Sequence, residues 1–235
     1  MLDRHISVES IRSPLNREQV AEICTDDSLS VVAVDIPFGW PTSFAMFVNS
    51  WSPVAGDQNA VPDPERFFYR ETDRIALKIT KSIFSISADK FAWGARAWAE
   101  IIIKYNLRSQ IRVGVAGITK TDRPALIEVY PAATIAVVAQ RSKTSFKGYK
   151  GDEEMRKTLI MALLNTFAID DEKSKELISI GKDSDKCDAL VAALTALMYL
   201  NKFPGWEVCR PSKGRQLKFA KKEGWIFFPK IDPVL

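Results

Sequence analysis

The run SVVAVDI at residues 30–36 decides how the chain folds. From Val31 to Val34 it is wholly apolar and mostly β-branched, the pattern of a strand covered on both faces, and Pro37 ends it because a proline nitrogen cannot join a ladder. A second strand of the same kind is read at residues 125–129 (ALIEV), closed by Tyr130 and Pro131. Working outward, helical spacing of apolar residues predicts helices over residues 17–24, from about 70, and over 91–105, 132–140, 152–167 and 184–200. Weaker strand patterns fall at 5–11, 111–115, 206–209 and 225–228. Pro41, Pro53, Gly56, Pro62 and Pro64 mark residues 40–64 as a long excursion with one helical turn at 44–48. Strands alternating with helices define an α/β protein.

No linker divides the 235 residues, and with 46% hydrophobic residues the chain can bury a substantial core, so a single domain over residues 1–235 is expected. The longest apolar stretch, residues 189–200, is too short to span a bilayer, and Asp3 and Arg4 stand where a signal peptide would be apolar. Neither a membrane anchor nor export is expected. Cys24, Cys187 and Cys209 are odd in number and far apart, which argues against a disulfide framework and for the cytoplasm. His5 is the only histidine, so His-rich zinc sites are excluded and nucleophiles activated by histidine are disfavoured. Neither a dinucleotide fingerprint nor a phosphate-binding P-loop occurs.

The remaining chemistry rests on carboxylates. Asp35 ends a buried-type strand, where a charge is costly unless paired, hydrogen-bonded or metal-bound. Glu128 holds the equivalent place on the second strand, and open α/β sheets carry their sites beyond these strand ends. Asp185 and Asp188 lie three apart at the start of the most apolar helix, on one of its faces. Each has a purely structural alternative: a turn cap for Asp35, a salt bridge for Glu128, and complementing the helix dipole for the Asp pair. Taken together they are hard oxygen donors, the choice of Mg2+ or Mn2+, and a metal so held serves phosphoester hydrolysis.

In order along the chain, DIPFGWP (35–41), RETDR (70–74), SIF (82–84), EVYP (128–131), KGYKG (147–151) and DKCDALVAALTA (185–196) resemble the domain-of-unknown-function family 429. The resemblance runs from residue 30 to about 196 and implies a ribonuclease H-like fold, a mixed β-sheet flanked by helices, with a predicted nuclease activity. The Asp-x-x-Asp-Ala-Leu helix is also similar to that of the Holliday-junction resolvases of the same superfamily. By the same resemblance Asp35 is the acid after the fourth core strand, Asp185 and Asp188 are the acidic pair of the last core helix, and Glu128 belongs to the EVYP-type motif. Arg70 would bind phosphate with Asp73 orienting it, and Lys147 and Lys150 match the lysine-glycine motif. Domains of that fold begin with a hairpin whose first strand carries an essential Asp and is followed by a glycine-containing turn. Here one strand precedes Arg17, no glycine precedes Gly39, and Asp3 is in the wrong setting. The chain reads as lacking the N-terminal strands of the fold; either translation starts upstream or catalysis has been lost. The sequence leaves oligomeric state open, although an incomplete sheet would leave an edge that a second subunit could cover, as in a homo-oligomer.

Two basic stretches complete the reading. Residues 210–222 carry six basic residues and no acid, with Phe219 among them, which would suit a phosphate backbone or simply a solvated helix, since the sequence does not show a shared face. Arg141, Lys143, Lys147 and Lys150, with Phe146 and Tyr149, form the second, in a glycine-containing loop near the substrate. The leading expectation is metal-dependent phosphodiester hydrolysis on DNA or RNA, with Asp35, Asp185 and Asp188 as ligands and Glu128 completing the shell or acting as base. The alternatives are a non-catalytic module binding nucleic acid or protein, and a small-molecule phosphohydrolase.

Overall fold

The computed structural model describes residues 8–10, 12, 14–50, 63–81, 83, 85, 89–113, 123–169 and 174–231. In chain order these form α1 (Arg17–Thr25), β1 (Val31–Val34), α2 (Thr42–Ser50), α3 (Pro64–Phe68), α4 (Glu71–Thr80), α5 (Asp89–Lys104), β2 (Ala125–Val129), α6 (Pro131–Ser142), α7 (Glu153–Phe167), α8 (Ser174–Ser179), α9 (Ser184–Tyr199), α10 (Arg215–Glu223) and β3 (Ile226–Phe227). The strands make one sheet in the order β1-β2-β3, all parallel, with Val31 opposite Ala125, Val34 opposite Glu128, and Glu128 in turn opposite Ile226.

Because side chains alternate across a strand, this register sorts residues to two faces. Val31, Ala33, Ile127, Val129 and Phe227 pack with α6, α7 and α9, centred on Leu159, Leu163, Val191 and Leu194. Val32, Val34 and Leu126 pack on the other side with α1 and α5, through Ala21, Cys24, Trp98 and Ile102. On that same side, farther along, Ile226 and Phe228 pack against Ala76 of α4. Both faces of the sheet are therefore covered by helices, which is why β1 and β2 read as continuous apolar runs rather than alternating ones.

Local chemistry sets the helix starts. Asn16 and Gln19 form a reciprocal capping box at α1, and the Asp183 carboxylate accepts from the N–H groups of Asp185 and Lys186 at α9. The α/β class with flanking helices is as expected. An antiparallel member of the sheet, needed for a mixed one, is not among the described strands. The expected strand at 5–11 lies outside the described residues except for 8–10, which have no regular structure. Of the one expected at 111–115, Ile111 makes a single parallel bridge to Leu126, and residues 114–120 lie outside the described set. Residues 206–209 contribute only the antiparallel bridge of Val208 to Pro229. Residues 215–222 of the basic stretch fold in α10, and the described part of the excursion after residue 40 holds two helices, α2 and α3, instead of one turn. Among the described residues, no helix is long and apolar enough to cross a membrane.

Candidate active site

Beyond the carboxyl ends of β1 and β2 lies a pit of about 130 Å³ lined by Asp35, Arg70, Asp73, Glu128, Tyr130 and Lys150 among others. Its acids fall into two groups, and strand parity divides them. Val34 and Glu128 are opposite each other, so Glu128 points to the face of α4, whereas Asp35, one residue further, follows Val31 and Ala33 toward the face of α9.

On the α4 face, Arg70 immediately precedes the helix and is only 1% exposed. Its guanidinium donates from Nη1 and Nη2 to the two oxygens of Glu128, at 2.9 and 2.6 Å, and from Nε and Nη2 to those of Asp73, at 3.0 and 2.8 Å. Nη1 also donates to the Glu223 carbonyl at 2.9 Å, so all five N–H donors are used within the protein. The Phe38 N–H donates to Glu128 at 3.1 Å, and the Arg70 N–H to Asp73 at 2.8 Å. Burial pushes the Glu128 carboxyl up from its ordinary value against the pull of Arg70. Burial acts to lower Arg70, but the two carboxylates outweigh it and its shift is upward. These directions oppose each other across one pair. A guanidinium donating to both Glu128 oxygens stays charged, so the direction at Arg70 governs and the group is an ion triad.

The C-terminal segment closes around this triad. Glu223, buried at the end of α10, accepts from the Thr42 N–H at 2.8 Å and the Glu71 N–H at 3.0 Å, tying together the first turns of α2 and α4. Gly224 has φ of +81°, and a Cβ there would come within 2.7 Å of Glu128 Oε2. Only glycine lets the backbone pass so close.

On the α9 face, Asp188 is 7% exposed and lies near the start of α9. Tyr149 donates its hydroxyl to Asp188 Oδ1 at 2.7 Å, and Lys150 Nζ, on an exposed side chain, lies 3.1 Å from Oδ2. Asp35 has no hydrogen-bond or ion-pair partner among the described residues. Its carboxyl is pushed up to about 7 by crowding of protein atoms and by the charge of Asp188, with Lys150 opposing and Glu128 and Asp185 adding to it. Asp35 retains solvent contact at its surface, so repulsion by Asp188 is the firmer of the two leading causes. Tyr130, at the N-cap of α6, is a second phenol near these acids; burial first, then Asp35 and Asp188, raise it.

The expected site residues therefore separate. Asp35 and Asp188 come together with Lys150. Asp185, expected to turn inward with Asp188, is exposed in the first turn of α9 and acts on Asp35 only weakly. Glu128, expected in a metal shell or as base, has both oxygens committed to Arg70, and Arg70, expected to bind phosphate, has no donor left over. Lys147 is exposed in a different cleft, of about 640 Å³, beside Lys81 and Lys143. Tyr149, read from the sequence only as an aromatic member of the basic loop near the substrate, is instead the hydrogen-bond donor to Asp188. Tyr130 has no signal beyond its place in the EVYP motif, and nothing in the sequence marks Glu223.

Among the described residues, no group of three Asp, Glu, His or Cys side chains is placed to hold an ion. Asp35 and Asp188 alone suit Mg2+, which keeps several waters and needs one or two carboxylates, and they do not suit a cation that requires a full protein cage.

An α/β protein with an acidic pit beyond its strand ends is what fold and site define. The family described as protein of unknown function (DUF429) matches residues 15–202, most of the chain, and the chain belongs to it. No curated protein and no solved structure matches.

Proposed function

We propose that this protein hydrolyses phosphodiester bonds in nucleic acid on a ribonuclease H-like scaffold, with Mg2+ or Mn2+ held by Asp35 and Asp188 and, through water, by Asp185. The observation that supports this reading most is a pit-lining carboxylate, Asp35, with no hydrogen-bond or ion-pair partner among the described residues, repelled by a second, Asp188, whose own cation is the exposed Lys150. Such a pair repels itself until a cation enters. When bound, the metal would activate water and stabilise charge on the phosphate oxygens.

The chain's own residues set the geometry. Tyr149 fixes one oxygen of Asp188, which leaves the other to Lys150. Lys150 is exposed and can exchange that carboxylate for a phosphate oxygen. The Arg70 triad holds the ends of β1 and β2 beneath them through Phe38 and Glu128. Calorimetric titration with Mn2+, run beside cleavage assays on DNA and RNA, tests the reading. Wild type should bind, and Asp35→Asn and Asp188→Asn should lose both binding and cleavage. A wild-type chain that takes up no Mn2+ and cuts neither polymer sinks it.

A further inference from the structure

Helix α10 lies outside the region matched by the family and carries most of the basic residues of the stretch 210–222. Folded, it is sharply two-sided. Ala220 and Glu223 are buried, while Arg215, Lys218, Lys221 and Lys222 are exposed. Arg215, Lys218 and Lys222 fall at helical spacings of three and four, and with Phe219, Gly214 and Thr42 they line one groove of about 400 Å³. Among the described residues, no acidic side chain lines it.

Several surface cations are neutralised by acids. Arg17, Arg96, Lys104, Lys157 and Lys230 each sit within 4 Å of a carboxylate. Among the described residues, Lys218 and Lys222 have no such partner, and Arg215 lies over the Phe219 ring at 5.5 Å instead. A row of unneutralised charges beside a half-buried aromatic ring is the combination that tracks a polyanionic backbone and offers a base a surface to stack on. The groove is also tied to the pit: Thr42, on its wall, and Arg70 are both bound by Glu223, the last residue of α10.

We propose that this groove binds the backbone of single-stranded nucleic acid, with Arg215, Lys218 and Lys222 on successive phosphates and Phe219 against a base. The inference shares a nucleic-acid partner with the proposed function but does not depend on catalysis. Its test therefore runs in a metal chelator, where hydrolysis makes no contribution. Binding of fluorescent oligothymidylate is followed by anisotropy as salt is varied, for wild type and for Lys218→Glu with Lys222→Glu. The double variant should bind at least about tenfold more weakly, with a log–log salt slope shallower by about 1.4, the counterions of two phosphate contacts on a single strand. Lys218→Gln with Lys222→Gln keeps the aliphatic stems and should show the same slope change, and all variants should unfold at the wild-type midpoint. Wild type that fails to bind overturns the proposal, as do variants that bind with unchanged affinity and slope. Equal competition by polyglutamate also overturns it, because the groove would then accept acidic polymers in general. Wild type that fails to bind in the chelator yet cleaves with Mn2+ would sink the groove and spare the proposed function; wild type that binds through the groove but neither takes up Mn2+ nor cleaves would do the opposite.

Discussion

At the ends of adjacent strands two acidic clusters face opposite sides of the sheet and are completed in opposite ways. Glu128 and Asp73 share a guanidinium whose donors are all used, with both carboxylates about 98% covered. Asp188 is met by the Tyr149 hydroxyl and an exposed lysine, and Asp35 beside it has no hydrogen-bond or ion-pair partner among the described residues. The same residue type at nearly the same height thus serves two ends. A buried acid with every oxygen satisfied is scaffold, because water is absent and any missing partner is costly. An accessible acid whose neighbour repels it is held in a state that another cation would relieve, which is where chemistry is expected.

The comparison is broken most directly at its scaffold side. Arg70→Met should cost about 3–5 kcal/mol, because it leaves two carboxylates buried without a counter-charge. Urea unfolding checks this, and a loss under about 1 kcal/mol would mean that the triad is not structural. Gly224→Ala should follow with about 2–3 kcal/mol, from a positive φ and from a methyl group pressed against Glu128. Its loss should shrink when Glu128 is already Ala, which takes away the carboxyl that the methyl group would meet, and full additivity in that double-mutant cycle would argue against the contact as the cause. Tyr149→Phe removes one hydrogen bond to a charged oxygen and should cost about 1.5 kcal/mol. If Tyr149 also positions Asp188, Mn2+ affinity falls with it; unchanged affinity would confine Tyr149 to packing.

Much of this was legible before folding. The strands at β1 and β2 and the long helices follow from apolar runs and periodicity, and acids at strand ends pointed to a site there. What the sequence could not carry was register. Each strand displays its own alternation, but whether Asp35 and Glu128 share a face depends on Val34 standing opposite Glu128, a long-range fact. Placed one residue over, the two acids would have converged as expected. A salt bridge was the structural alternative read for Glu128 and it is what forms, but which arginine makes it is again a long-range fact: Arg70 lies 58 residues from Glu128 and 153 from Glu223. The basic stretch at 210–222 was visible as composition, yet its shared face needed helix α10, whose mean hydropathy is low and whose apolar side is only a few residues wide. The acids of α9 were half legible. Helical spacing put Asp185 and Asp188 on one side, but Asp185 sits in the first turn, where Asp183 caps the helix and solvent still reaches.

The smallest expected effect separates the two clusters by sign. Asp35 ionises in the folded state near 7 instead of 3.8, so the folded chain disfavours the charged form. Below about 3.8 the carboxyl is protonated folded or unfolded and no penalty exists; as pH rises the penalty grows, and it is complete above about 7. Asp35→Asn removes it. The variant should therefore gain stability, by about 1 kcal/mol at most once solvent screening of an exposed side chain is counted, and the gain should fade as pH is lowered from about 8 toward 4. Thermal or urea unfolding across that range measures it. Arg70→Met loses stability at every one of those pH values, so the same assay yields opposite signs from residues that line one pit. If Asp35→Asn instead destabilises the chain, Asp35 belongs with the scaffold, and the repulsion that motivates a cation between it and Asp188 is not there to be relieved.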